Sequence, residues 1–195
     1  MSKTVIQKGG EVSYTTPMGR VSYPNLFEAR GNPFNDKKEY SVELLFAKGE
    51  DLKGFKKACE EAAANTFGPD KTKWPKDFTI PLHDQAEMIE KLSEKDKDFS
   101  HLTEGAYAIK CKSEYKPVIV NAQLKAIDDP TAIYGGCYGK ASMNIKVYHI
   151  NKRTHVTLYL TGFQFIKDGD SFGGKPNASS MFQPVMDDDA EDMLG

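Results

Sequence analysis

The stretch Gly136–Ile150, GCYGKASMNIKVYHI, decides the fold. Its odd positions are Cys137, Gly139, Ala141, Met143, Ile145 and Val147, an apolar row with small residues at one end. Its even positions are Tyr138, Lys140, Ser142, Asn144, Lys146 and Tyr148. Side chains of a β-strand alternate between faces, so this is a long strand with a core face and an outward face. The outward face combines two tyrosines, two lysines and two small hydrogen-bonding groups. That combination suits a platform for single-stranded nucleic acid, where bases stack on aromatic rings and ammonium groups meet phosphates. The competing reading packs Tyr138 and Tyr148 beneath a helix or against a second protein.

Working outward, His155–Ile166 alternates in the same way and forms a hairpin with the first strand around Asn151-Lys152-Arg153. A three-residue loop there would set His149 opposite His155. Gly19–Phe27, Lys38–Phe46, Tyr107–Cys111 and Val118–Leu124 complete about six strands. Helical spacing covers Glu50–Phe67, stopped by Gly68-Pro69, and more briefly Gln85–Lys97. The chain is therefore mainly β, with a helix inserted after the second strand. With no strand–helix–strand repeat, it suits a small antiparallel Greek-key barrel.

At 195 residues the chain can bury a core without metal or disulfide, and 28% charged residues describe an ordinary globular protein. Three cysteines, Cys59, Cys111 and Cys137, lie far apart without a CxxC, as in reduced cytoplasmic proteins. No apolar run approaches a membrane span, and the start lacks a signal peptide. The net charge of -2 is unevenly spread. Residues 105–167 hold nine Lys/Arg against Glu114, Asp128 and Asp129, while residues 168–195 hold Lys175 against seven acids. A basic body beside an acidic end points to a polyanionic partner. From Asp168 the composition turns to Gly, Ser, Pro and Asp without periodicity, which reads as a disordered tail. The expected organisation is a domain over 1–168 and a tail over 169–195.

Cations and aromatics meet elsewhere too. Lys110 and Lys112 share a strand face, followed by Tyr115 and Lys116. The loop Lys71–Phe78 sets Trp74, the only tryptophan, among lysines, either as a plug over the barrel end or as a stacking finger. Phe34 stands beside Lys37 and Lys38, Arg20 opens the first strand, and Arg153 sits in the hairpin loop. Catalytic patterns are weaker. Gly169–Pro176 imitates a phosphate-binding loop, but Pro176 stands where Ser or Thr would hold magnesium. A metal-dependent nuclease would have to combine Pro69-Asp70 with Glu114-Tyr115-Lys116 across a long gap. Two facing histidines fall short of a zinc site, which takes three or four ligands.

Four segments bring a family into view: GRVSYPNLFEA from Gly19, KKEYSVELLFAKG from Lys37, YGGCYGKASMNIKVY from Tyr134 and LTGFQFIKDGDSFGG from Leu160. Together they resemble the single-stranded DNA-binding proteins of tailed phages. The resemblance implies an OB-fold core with an inserted helix and an acidic C-terminal tail. It implies a non-enzymatic protein without cofactor that coats single strands in phage replication and recombination, inside the infected bacterial cell. Its tail, carrying Asp187, Asp188, Asp189, Glu191 and Asp192, would dock a polymerase or helicase and compete with DNA. Many such tails end in an aromatic residue, whereas this one ends Met193-Leu194-Gly195. A homodimer stays open. The remaining alternatives are a metal-dependent nuclease, a protein-interaction module without DNA, and an oligosaccharide-binding barrel.

Overall fold

The computed structural model describes residues 10–31 and 36–172. The strands are β1 (Val12–Thr15), β2 (Gly19–Gly31), β3 (Lys38–Leu45), β4 (His83–Asp84), β5 (Tyr107–Ser113), β6 (Val118–Val120), β7 (Tyr138–Ile150) and β8 (Arg153–Lys167). The helices are α1 (Lys53–Phe67) and α2 (Gln85–Ser93). The sheet runs β1-β7-β2-β3-β5-β8-β6, and β7 also pairs with β8. The circuit β7-β2-β3-β5-β8 therefore closes on itself as a five-stranded barrel of the OB type. Its pairs are antiparallel except at β5–β8, where Lys112 meets Tyr159 in parallel. Among the described residues no helix is long and apolar enough to cross a membrane.

β7 is the strand that makes closure work. Its first residues pair with β2, its middle with β1, and nearly its whole length with β8. Burial follows the sequence alternation: Ala141, Met143, Ile145 and Val147 are buried, and the residues between them are half-buried. They meet Val12, Val21, Val42, Ile109, Leu158, Leu160 and Phe163 in one core. Full burial of such a side chain stabilises by about 1.5–3 kcal/mol. Gly139 is required by close approach, because a Cβ there would lie 2.2 Å from the Phe163 ring. Helix α1 lays Phe55, Cys59, Ala62 and Ala63 on the same core, with Phe55 tilted against Tyr14 at 5.6 Å.

Several boundaries differ from the sequence expectation for local reasons. β1 is an additional strand, too short for its alternation to register alone, so α1 follows the third strand in the chain. The hairpin turn has two residues: Asn151 and Lys152 both take positive φ (54° and 62°), and Arg153 already pairs with Ile150. That is the geometry of a type I′ turn, whose twist matches paired strands. The register therefore sets His149 opposite Thr154 and His155 opposite Tyr148, and the two histidines do not face each other. Helix α2 ends at Ser93 because Asp96 turns to φ 51° and Lys97 N–H returns to the Leu92 carbonyl. Val118–Leu124 breaks after Val120, where Asn121 caps a turn that carries Leu124 at φ 63°.

Helix α2 also limits the outward face. Met88, Ile89 and Leu92 cover Leu45, Ala108 and Leu102, and Leu45 and Ala108 are cross-strand partners on the outer side of β3 and β5. The buried Gln85 locks this cover. Its amide donates to the Phe46 and Tyr107 carbonyls, and its oxygen accepts from Thr103 N–H. The outer face of β5, β8 and β7 beyond this cover borders two open grooves.

Candidate nucleic-acid interface

Strand register places one polar row across six strands: Asn25, Ser41, Lys112, Tyr159, Asn144 and Ser13. Neighbours in the row are bonded, with Asn25 donating to Ser41 at 3.2 Å and Ser13 donating to Asn144 at 2.8 Å. Two open grooves flank the middle of the row. One of about 650 Å³ is lined by Arg30, Ser41, His83, Lys110, Lys112 and Thr157. The other, about 460 Å³, is lined by Tyr115, Lys116, Tyr148, Tyr159, Asn144 and Glu11.

Three tyrosines shape the second groove. Tyr115 is 83% exposed, two residues beyond the end of β5. Tyr148 and Tyr159 share a hydroxyl–hydroxyl hydrogen bond of 2.8 Å. Burial, and then that bond, push the Tyr159 hydroxyl up to about 12. Lys146 Nζ lies 5.2 Å from the Tyr148 ring centre. The Tyr159 phenol is thus un-ionised near neutral pH.

The far end of β7 is built differently. Tyr138 has Lys167 Nζ at 4.8 Å and the Arg20 guanidinium at 5.9 Å from its ring centre. Residues 168–172, which composition grouped with the tail, are held against this end. Tyr134 Oη donates to Asp168, Arg20 donates to the Asp170 carbonyl, and Phe172 N–H donates to the Gly135 carbonyl. The Phe172 ring lies 4.5 Å from the Arg20 guanidinium and 4.5 Å from the His101 ring. Gly136, at φ 116°, permits the approach, because a Cβ there would strike the Asp170 carbonyl at 2.0 Å.

The structure thus gathers Lys110, Lys112, Tyr115, Lys116, Lys146 and Tyr148 around the two grooves. Lys37 reaches the same region through an ion pair with Glu114. Lys140 stands farther along β7, opposite Gln164, and Tyr138 and Arg20 form the separate end just described. Lys38 is exposed at the start of β3. Arg153 lies at the hairpin tip, opposite Ile150 and away from both grooves. Trp74 is half-buried, donates to the Gly68 carbonyl at 2.8 Å and meets Phe78 edge-on at 5.2 Å, which places it in the packing around the core. Phe34 and the tail acids Asp187, Asp188, Asp189, Glu191 and Asp192 lie outside the described residues. Among the described residues no cluster of His, Cys, Asp and Glu could hold a metal ion.

Sequence reasoning missed Tyr159, Lys167, Asn25 and Ser41. Tyr159 was within reach, because alternation from His155 through Thr157 leads to it. The others depend on register between distant strands.

The sequence model of the family described as the ssDNA-binding protein of Enterobacter phage Enc34 matches residues 13–194. The chain belongs to that family. No curated protein matches it in sequence. Among solved structures, the Enc34 family barrel is similar to the single-stranded DNA-binding protein from bacteriophage Enc34 in complex with ssDNA. That similarity has TM-score 0.60 and 22% identity, over 89% of this chain and 95% of that one. It is also similar to gp2.5, a single-stranded DNA-binding protein encoded by bacteriophage T7, with TM-score 0.56 and 17% identity over 89% and 99%.

Proposed function

We propose that this Enc34-family chain binds single-stranded DNA without sequence preference and without catalysing a reaction, coating strands during phage replication and recombination in the host cell. The observation that carries this reading is the open groove where exposed Tyr115 and the Tyr148–Tyr159 pair stand beside Lys116 and Lys146. A π-face accepts any base, at about 1–3 kcal/mol per stacked base, and lysines track the backbone. A duplex keeps its base faces stacked inside and offers nothing to these rings. Lys110 and Lys112 extend the phosphate track across β5, and Tyr138 with Arg20 and Lys167 forms a second contact region. The acidic segment from Asp187 docks replication enzymes such as a polymerase or helicase. Family membership and the barrel shared with phage relatives support this reading.

The test is fluorescence anisotropy of a labelled oligo-dT and a matched duplex at about 50 and 200 mM salt. The expected result is tight, salt-sensitive binding of the single strand and little binding of the duplex. No single-strand binding at either salt, with residues 178–195 also removed, would sink it.

A further inference from the structure

The run 105–167 is strongly basic in sequence, yet some lysines of the face it builds are already paired with carboxylates. Folding brings carboxylates from the N-terminal part of the chain onto the same surface. Glu39 of β3 meets Lys112 Nζ at 2.9 Å, and Glu39 is the less exposed partner, 17% against 46%. Glu11, just before β1, lies 3.7 Å from Lys146 Nζ and also accepts from Asn144. Glu43 is buried opposite Lys110 in the β3–β5 register. Lys37 is paired with Glu114. Among the described residues, Lys116 and Lys140 make no ion pair. The lysines of this face thus fall into two classes, those with an internal carboxylate and those without.

We propose that Glu39 and Glu11 are displaceable internal counterions, each holding its lysine in the face until a phosphate of the incoming strand takes the carboxylate's place. The inference rests on the single-stranded DNA reading and deepens it. An ammonium has three donors, so a phosphate can engage before the carboxylate withdraws. Two anions on one cation then repel, and the flexible glutamate yields because the polyanion is held at many points. The freed carboxylate stays beside the bound strand and retains a cation that full neutralisation would have released. Each such contact therefore adds less to the salt dependence than the roughly 0.7 of a simple phosphate contact on a single strand. Affinity is held down, and a ligand with one or two charges cannot open the pairs. Only a chain of phosphates engages the whole face.

The experiment is a salt titration of labelled oligo-dT binding by the full chain and by Glu39→Gln, Glu11→Gln, Lys116→Ala and Lys112→Ala. Glu39→Gln and Glu11→Gln should each tighten binding by roughly two- to fivefold, the range of an exposed or half-exposed ion pair. Each should also steepen the log–log slope by up to about 0.7. Lys116→Ala should flatten the slope more than Lys112→Ala. Glu39→Gln should tighten binding less in the Lys112→Ala background than in the parent, because part of the carboxylate's effect passes through that lysine. Thermal melting of each variant checks that the barrel is intact, and the two glutamates, paired with different lysines, test the idea independently. Weaker binding by both glutamine variants would make the carboxylates positioning groups and overturn the inference. Unchanged affinity and slope would overturn it too, while single-strand binding by the parent chain leaves the functional reading standing. A parent chain that binds no single strand overturns both.

Discussion

The two ends of β7 carry the same residue types and are not the same kind of surface. At the Tyr148 end, Tyr148, Tyr159 and Tyr115 border an open groove, and Lys146 Nζ lies over the Tyr148 ring at 5.2 Å. At the Tyr138 end, the ring lies between Arg20, Lys167 and the chain at Gly169, where a Cβ would come within 2.7 Å of the tyrosine ring. A tyrosine with a lysine two residues away reads alike at both ends of the strand. What differs is the segment 168–172, which returns over the Tyr138 end alone. An aromatic ring acts as a platform only where a π-face is left uncovered, and covering is a tertiary event.

The comparison can be broken most directly at Tyr115. Tyr115→Ala should cost about 1–3 kcal/mol in affinity for any single strand, with an unchanged melting temperature because the ring is almost fully exposed. Unchanged anisotropy titrations would remove the open groove from the binding track. Lys116→Ala and Lys140→Ala should each lower the salt slope by about 0.7, while Arg153→Ala, at the hairpin tip, should leave it as it is. A slope that responds to Arg153 would extend the track beyond the two grooves. Tyr138→Ala in the full chain should weaken binding by less than about 1 kcal/mol, the worth of a partly solvated cation–π contact, and lower the melting temperature. An affinity loss as large as that of Tyr115→Ala would make the two ends equivalent.

The smallest effect concerns Glu43. Burial holds its carboxyl above the ordinary glutamate range, against the opposing pull of Lys110 and His83 and a hydrogen bond from Ser22. The folded chain thus binds this proton more tightly than the unfolded chain. Stability falls as pH rises from the ordinary glutamate value through the raised folded one, and is lowest above that window. Glu43→Gln should flatten this part of the profile. Thermal melts across mildly acid pH that show the same slope for parent and variant would locate the titration elsewhere.

Much of the barrel was legible in the sequence because its strands are amphipathic. The alternation Ala141, Met143, Ile145, Val147 against Lys140, Ser142, Asn144, Lys146 fixes both faces of β7 with no knowledge of its neighbours. Helix α1 was legible for the same reason, through Phe55, Cys59, Ala62 and Ala63. β1 was not, since four residues carry too short a period. The two-residue turn was not, because left-handed Asn151 and Lys152 could belong to a loop of either length, and one residue of difference exchanges every cross-strand partner.

The candidate site divides along the same line. Local pattern is sufficient to say which side chains of β7, β5 and β8 point outward, and so to assemble tyrosines and lysines on one face. The sequence by itself determined those faces, helix α1 and the basic character of 105–167, because each depends on residues close together in the chain. Only the tertiary structure decided that Trp74 packs inward, that 168–172 covers Tyr138, and that Glu11 and Glu39 neutralise lysines more than 70 positions away. Charge and exposure are properties of a surface, and a surface is made from strands that register joins regardless of their distance along the chain.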